Sequence, residues 1–496
     1  MFTSLTHRMM FIHAIPCDLF KTNYEHMKII AILLTLCAVP TTLFPQNLPS
    51  KTNIINTLEK VSNAWMEKNP ETESINSSGA EWLEGTYFAG HMALFELYPS
   101  KKNINYALLW GKNNDWKLGT KPKEADNQCV GQTYMDIFIA YGSKDNHMLS
   151  KIDNSVQDLV NRSASDDWHW IDALFMAMPV LTRYGNYFNR DSYLDKLYSL
   201  FHHTKVTLQL YDEADGLWYR DANFKPPFKT PGGKKCYWSR GNGWVFGGLV
   251  STLKYLPEDN NHRQEYIDVF KSMAKALQKV QRDDGFWNVS LADTTDFPGP
   301  ETSGTAFFTY GIAWGINEGI LDSAFYMPTV TKAWNGMVSK AVHPDGRVGY
   351  TQGVSDKPSR SQPVTYNSFR DYGEGSFLLA GTEVIKLAPG DMPLPNDFYV
   401  RSVELVKPNV LKVTFYEEAE KRSAENTSNY IVNKGVEVLN AEISEDKLSS
   451  LLTLSSITED YYGIYFQNII SMSGKTIGPG NGKQFKGTKN KSSSSN

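Results

Sequence analysis

The spacing of apolar residues changes once along the chain, and this change predicts two kinds of structure. Across residues 53–387 apolar positions recur three and four apart, which is the period of a helix that buries one face. The stretches 53–65, 262–281 and 376–387 show this period well. We therefore expect residues 53–387 to be helical.

The predicted helices form a loose repeat. An apolar helix-forming segment follows a joint six times, at residues 85–90, 131, 172, 241–248, 304–319 and 373–381. Each interval suits one helical hairpin with its loop, and the intervals are too irregular for a solenoid of fixed period. The pattern predicts an all-α (α/α)6 barrel over residues 47–388, with six inner helices inside six outer helices.

The helical pattern ends where Pro, Gly and Asp cluster, which predicts a linker at residues 389–397. Beyond it the period falls to two, in short runs at 400–406, 410–416, 449–454 and 462–466. These runs predict a small all-β immunoglobulin-like sandwich over residues 398–480. We expect the barrel to fold without this module, and the serine-rich residues 481–496 to be disordered.

Residues 1–46 are expected to be an N-terminal extension and a signal peptide. The apolar run 29–39 follows Lys28 and is too short to span a bilayer, as in a secretory signal. Met27 is the expected true start, and the mature protein is expected to be exported, periplasmic or secreted; a lipid anchor on Cys37 is the less favoured alternative. Export leaves Cys129 and Cys236, whose spacing does not show whether they pair.

Composition narrows the function classes. Of the 496 residues, 41% are apolar and 21% are charged, as in folded proteins, and the net charge of −4 argues against nucleic-acid binding. Aromatic residues make up 13%, which suits a large aromatic core or stacking against sugar rings. The chain has no phosphate-binding loop and no Cys or His cluster with metal-ligand spacing, so the sequence predicts no metal site.

Two carboxylates stand out because each precedes an apolar helix. Asp172 follows Trp168, His169 and Trp170, and apolar crowding raises the pKa of a carboxyl toward the range of a general acid. Asp126 stands before another predicted inner helix. Paired carboxylates suit glycosyl chemistry, and the alternative is that both side chains cap helices.

The segment 237–244, Tyr-Trp-Ser-Arg-Gly-Asn-Gly-Trp, is the third candidate. Arg240 between Trp238 and Trp244 predicts an anion clamp beside a stacking wall. The alternative is a glycine-rich helix joint with a structural cation–π pair. Three further segments, 215–221, 284–287 and 300–311, supply supporting aromatic and polar residues.

Four motifs then carry a family resemblance. They are Trp-Ile-Asp-Ala-Leu-Phe-Met-Ala, Asp-Gly-Leu-Trp-Tyr-Arg, Ser-Arg-Gly-Asn-Gly-Trp and Glu-Thr-Ser-Gly-Thr-Ala, in that order. With them, residues 53–387 resemble glycoside hydrolase family 105, the unsaturated rhamnogalacturonyl or glucuronyl hydrolases, which are related to family 88. Residues 349–352 and 372–381 extend the likeness, which itself implies an (α/α)6 barrel.

The resemblance implies a reaction on 4,5-unsaturated uronic acids, which polysaccharide lyases leave at the non-reducing end of oligosaccharides. Asp172 would protonate C4 of the vinyl ether, water would add at C5, and Asp126 would be the second carboxylate. Arg240 would hold the uronate carboxylate, while Arg220 stands where relatives often carry histidine. The implied substrate-binding residues are Trp168, His169, Arg220, Trp238, Arg240, Asn242, Trp244, Trp287, Ser303 and Tyr350. The reaction implies no cofactor, and the implied partner is the oligosaccharide.

Two other functions stay open at this point. One is another toroid sugar enzyme, such as an inverting glycosidase or a sugar epimerase. The other is a carbohydrate-binding protein without catalysis. The sequence also leaves open whether the sugar is galacturonic or glucuronic, which sugar follows it, and the oligomeric state.

Overall fold

The computed structural model describes residues 47–70, 72, 81–121, 123–142, 145–459 and 461–487. The predicted extension and signal peptide, and residues 488–496 of the predicted disordered tail, lie outside these residues. In the described part, no helix combines the length and the apolar character needed to cross a membrane.

The helical region contains α1 to α14. Their bounds are α1 (Lys51–Lys68), α2 (Trp82–Leu97), α3 (Lys101–Asn113), α4 (Ala125–Gln128), α5 (Gly131–Ala140), α6 (His147–Asn161), α7 (Ala173–Met176), α8 (Met178–Tyr187), α9 (Asp191–His202), α10 (Ser239–Leu253), α11 (Arg263–Lys279), α12 (Thr302–Asn317), α13 (Ser323–Lys340) and α14 (Asp371–Leu387). A short hairpin of β1 (Tyr211–Asp212) and β2 (Leu217–Trp218) lies between α9 and α10.

Burial separates inner from outer helices. Every residue of α10 except Ser251 is buried, and every residue of α12 except Asn317. By contrast, α11 buries only one face, with Tyr266, Phe270 and Met273 among the buried residues three and four positions apart. The inner helices are therefore α2, α5, α8, α10, α12 and α14, with short α4 and α7 leading into α5 and α8.

The inner helices close a ring. In order, α2 contacts α5, α5 contacts α8, α8 contacts α10, α10 contacts α12, α12 contacts α14, and α14 contacts α2 again. The last contact needs glycine, because a Cβ at Gly90 would overlap the carbonyl of Gly375. This ring confirms the predicted helical toroid. Since each inner helix is followed by an outer helix that runs back, all inner helices begin at the same end.

The C-terminal region is a separate set of strands. One antiparallel sheet has the order β3 (Val400–Lys407), β4 (Val410–Phe415), β7 (Ser449–Leu454), β6 (Val438–Ile443); the other has β5 (Tyr430–Val432), β8 (Tyr461–Phe466), β9 (Lys483–Lys486). A one-turn helix, α15 (Lys421–Ala424), joins β4 to β5. These strands enclose their own hydrophobic cluster, which includes Val413, Leu452 and Phe466. The predicted β region is thus confirmed, while its immunoglobulin-like classification stays a prediction.

One boundary of this region differs from the prediction. Strand β9 lies inside residues 481–496, which the Ser- and Lys-rich composition predicts to be disordered. Ile464 and Tyr462 of β8 pair with Lys483 and Phe485 of β9, and Phe485 is buried. The tail prediction is therefore wrong for residues 481–487, because a strand partner earlier in the chain orders them.

The β region packs on the end of the barrel where the inner helices finish. The Gly482 amide donates to the carbonyl of Ala140 at the end of α5 (2.8 Å), and Tyr416 Oη donates to the carbonyl of Leu97 at the end of α2 (2.9 Å). Tyr399 belongs to the hydrophobic core of the barrel. The described residues from 47 to 487 form one compact unit, so the Pro-rich stretch does not separate two independent bodies.

Candidate active site

Polar side chains collect where the inner helices begin. Asp126 lies in the first turn of α4, Asp172 directly precedes α7, and these two short helices contact each other. Arg240 lies in the first turn of α10, one inner helix further round the ring. The structure thus brings the three predicted elements to one end of the barrel, opposite the β region.

Asp172 is nearly buried and does not cap its helix. It is 8% exposed, and its carboxylate makes no capping hydrogen bond although it occupies the position before α7. Oδ2 accepts from Arg220 Nε (3.2 Å) and Arg220 Nη2 (3.1 Å), while Oδ1 is buried and has no hydrogen-bond partner among the described residues. The capping alternative therefore does not explain this carboxylate.

Burial raises the pKa of both carboxyls. For Asp172 the effect of burial is opposed by Arg220 and Arg240 and reinforced by Asp221. Burial and repulsion from Asp172 raise the pKa of Asp126 to about 7, against the lowering effects of Arg220 and a hydrogen bond from Trp170. At this pKa the carboxyl of Asp126 changes between its protonated and ionised forms near neutral pH, the range that acid–base catalysis uses.

The backbone positions Arg220 beside Asp172. The Ile171 amide donates to the Arg220 carbonyl (3.0 Å), and Trp170 and Asp221 form a β-bridge. The guanidinium also binds Asp221, with Nη1 2.8 Å from Oδ2. The side chain of Arg220 is 24% exposed, so a partly exposed cation lies between two carboxylates at the open end of the site.

Arg240 does not face open space, in contrast to the predicted clamp. The residue is 1% exposed, and its Nη1 and Nη2 donate to the carbonyls of Gln352 (2.8 Å) and Gly353 (2.9 Å). Its guanidinium lies 4.6 Å from the Trp238 ring centre and 4.7 Å from that of Tyr372. These contacts disagree with the predicted anion clamp, because the guanidinium joins α10 to the loop before α14.

The rest of the segment 237–244 makes the same joint. Trp238 Nε1 donates to Gln352 Oε1 (2.8 Å), and Asn242 bonds both the amide (2.8 Å) and the carbonyl (3.0 Å) of Trp218. Trp244 is buried against Phe175 and other rings of the core. These side chains form the wall of the site rather than an exposed stacking surface.

The remaining predicted binding residues divide between core and mouth. Trp168, Trp287 and Ser303 are fully buried. Trp287 donates to the Leu277 carbonyl and Ser303 to Glu301. His169 is exposed and its ring centre lies 4.4 Å from that of Trp170, and Tyr350 is partly exposed with a positive φ of 53°. Only His169, Arg220 and Tyr350 of the predicted binding residues therefore offer substantial surface.

Two residues that build the site, Glu301 and Trp82, were not among the predicted binding residues. Glu301 is fully buried and accepts from the amides of Ser303, Gly304 and Gln352, so it caps α12 and fixes the neighbouring loop. Trp82 stacks on Tyr372 at 5.2 Å. The capping role of Glu301 had a readable signal in its position before Thr302 and Ser303, whereas the stacking of Trp82 had none.

The helical region is similar to a known family of glycoside hydrolases. Residues 57–388 match the family described as Glycosyl Hydrolase Family 88. A relative from Formosa agariphila, named unsaturated 3S-rhamnoglycuronyl hydrolase, is 34% identical over 349 residues, which are 65% of this chain and 88% of the relative.

Solved structures agree with the family match. A glycosyl hydrolase family 88 structure from Bacteroides vulgatus is 34% identical with a TM-score of 0.64, over 68% of this chain and 99% of its own. A family 105 structure from C. acetobutylicum is 22% identical with a TM-score of 0.55, over 66% of this chain and 98% of its own, and this likeness shows the fold alone.

Proposed function

The chain belongs to glycosyl hydrolase family 88, and we propose that it is an unsaturated glycuronyl hydrolase. Its substrate would be an oligosaccharide that carries a 4,5-unsaturated uronic acid at the non-reducing end. The observation that carries the proposal is the pair Asp126 and Asp172, a partly buried and a nearly buried carboxyl with raised pKa on adjoining helices at the open end of the barrel.

The proposed reaction is hydration of a vinyl ether. Asp172 gives a proton to C4, and a water positioned by Asp126 adds its oxygen at C5 and returns a proton to Asp172. The resulting hemiketal opens the ring and releases the next sugar. Each step moves only protons and water, which is chemistry that two carboxyls can supply.

We propose a rhamnose-linked substrate and membership of family 105 as the finer assignment. Support for the first comes from the name of the Formosa agariphila relative, which is 34% identical. Support for the second comes from the four ordered motifs, including Ser-Arg-Gly-Asn-Gly-Trp at residues 239–244. A panel of lyase products that differ in the uronic acid and in the linked sugar distinguishes the substrates.

The test is the loss of ultraviolet absorbance, since hydration destroys the conjugated double bond. We expect the wild type to remove this absorbance and the Asp172→Asn variant to lose at least about 100-fold in kcat while still binding. Release of a saturated sugar would instead identify an inverting glycosidase. Affinity for the oligosaccharide without turnover would identify a binding protein.

A further inference from the structure

The proposed acid is blocked in the substrate-free enzyme. A general acid must present a protonated oxygen to the substrate. Asp172 Oδ1 is buried, and Oδ2 already accepts two N–H groups from Arg220. An oxygen that accepts both donors cannot also carry a proton toward C4, so Arg220 has to move before Asp172 can act.

Arg220 is less enclosed than the neighbouring Arg240 and is bonded to a different kind of acceptor. Arg240 is 1% exposed and its two Nη atoms are bonded to the carbonyls of the loop 352–353. Arg220 has an exposed edge, and within the described part of the chain its guanidinium bonds only to carboxylates. Its second partner, Asp221, is fixed by the Asn223 amide on Oδ1 (2.9 Å), so Asp221 can keep hold of Nη1 as a pivot.

The substrate itself carries the anion that would move it. In the proposed substrate the C6 carboxylate is bonded to C5, the neighbour of the C4 that receives the proton. A sugar whose C4 contacts Asp172 therefore brings its carboxylate beside the guanidinium of Arg220. Arginine grips such a carboxylate with two parallel hydrogen bonds, which compensates for those it leaves.

We propose that Arg220 opposes protonation of Asp172 in the free enzyme and moves to the C6 carboxylate when the sugar binds, so that an anionic substrate favours the protonated acid. This inference rests on the proposed function. On binding, Asp172 takes one proton from solvent, gives it to C4, and regains one from the water that adds at C5. Arg220 is thus a positioning residue that acts through Asp172.

The charges around Asp172 set the direction of the effect. Arg220 and Arg240 favour its ionised form, while Asp221, Asp126 and burial favour the protonated form. Loss of the Arg220 contact therefore favours protonation. Because an opposite charge at this range lowers a carboxyl pKa by about 1–3 units, release changes the protonated fraction above neutral pH by about tenfold or more.

The experiment compares two substrates in two enzymes. One substrate is the unsaturated uronide and the other is its neutral C6 carboxamide. We expect the wild type to act poorly on the carboxamide, because nothing draws Arg220 from Asp172. We expect Arg220→Met to act more slowly than the wild type on the uronide but about tenfold faster than the wild type on the carboxamide at mildly alkaline pH.

Only a blocking role predicts this crossed result. If Arg220→Met is slower on both substrates, Arg220 supports Asp172 throughout the reaction and the inference is wrong. If it is slower on the uronide and unchanged on the carboxamide, Arg220 only binds the carboxylate and the inference is also wrong. Absence of any turnover of uronides by the wild type would refute the proposed function instead.

Two controls complete the design. Arg190→Met removes a comparable half-buried ion pair, with Asp153 on an outer helix (2.7 Å). It should change the rate on neither the uronide nor the carboxamide. If Arg220→Met does not fold, the wild type still decides. The alkaline limb of its kcat profile should lie at lower pH on the carboxamide than on the uronide, and coincident limbs would overturn the inference.

Discussion

Arg240→Lys tests whether the buried guanidinium is a joint or a clamp. Arg240 donates to two carbonyls, and charge-assisted hydrogen bonds are worth about 1.5–3 kcal/mol each. It also lies between the rings of Trp238 and Tyr372, and a desolvated cation–π contact adds about 2 kcal/mol. Lysine keeps the charge and can bond one carbonyl, but it cannot reach both or fill the space between the rings.

The expected loss is smaller than the sum of these contributions. The Gln352 carbonyl keeps a second donor, Tyr372 Oη (2.6 Å), so only the Gly353 carbonyl loses its partner. Because coupled contacts are not additive, we expect Arg240→Lys to lower the free energy of unfolding by roughly 2–4 kcal/mol. Urea unfolding, monitored by tryptophan fluorescence, measures the stability. The KM of the folded enzyme for an unsaturated uronide is measured as well.

A joint and a clamp give opposite results in this pair of measurements. For a joint, stability falls and KM stays within about threefold of the wild type, since no bond to the substrate is lost. A variant of unchanged stability with a strongly raised KM would refute the reasoning and restore the clamp. Arg347→Lys is the matched control, because its exposed pair with Asp345 contributes about 0–1 kcal/mol.

Three further predictions follow from buried carboxyls and from the packing of the β region. Burial and repulsion from Asp371 raise the pKa of Glu374 to about 8. The wild type should therefore lose stability as pH rises toward 8, whereas Glu374→Gln should not. The difference between their melting temperatures should widen up to that pH and then stay constant. Asp126→Asn should abolish the acidic limb of the kcat/KM profile near the pKa of about 7, which a pH series of initial rates measures. A chain ended at residue 390 should aggregate in size-exclusion chromatography, because it bares the apolar core around Tyr399 and leaves the Leu97 and Ala140 carbonyls without their donors; a monodisperse, active fragment would contradict this.

The helical toroid could be predicted because its signal is local. One-faced outer helices such as α11 and continuously apolar inner helices such as α12 follow from side-chain period alone. Glycine at close approaches, as at Gly90, marks where inner helices touch. Strand β9 could not be predicted, since its order comes from pairing with β8 and not from its own Lys-, Gly- and Ser-rich neighbourhood.

The independence of the barrel could not be read from the linker for a related reason. A Pro-rich stretch shows only that a helix stops there, and says nothing about what packs on either side. Here Tyr98 Oη donates to the Leu394 carbonyl (2.9 Å), and the Lys101 amide donates to Asp397 Oδ2 (2.9 Å). These bonds bind the linker itself to the barrel.

The two arginines show where prediction of the site reaches its limit. Sequence reasoning singled out both carboxylates because each precedes an apolar helix, and it left helix capping open as the alternative. It assigned the substrate carboxylate to Arg240, since a guanidinium between two tryptophans suits a clamp and a joint equally well. The difference between a clamp and a joint depends on the acceptors around each guanidinium. Arg240 donates to backbone carbonyls, which are fixed in the fold, whereas Arg220 donates to carboxylates, which a substrate anion can replace. A cation held by fixed neutral acceptors keeps its position through the reaction, whereas one held by titratable acceptors is released when either partner changes charge. For this reason Arg220 is the arginine whose replacement should change the choice of substrate, and Arg240 is the one whose replacement should change the stability of the fold.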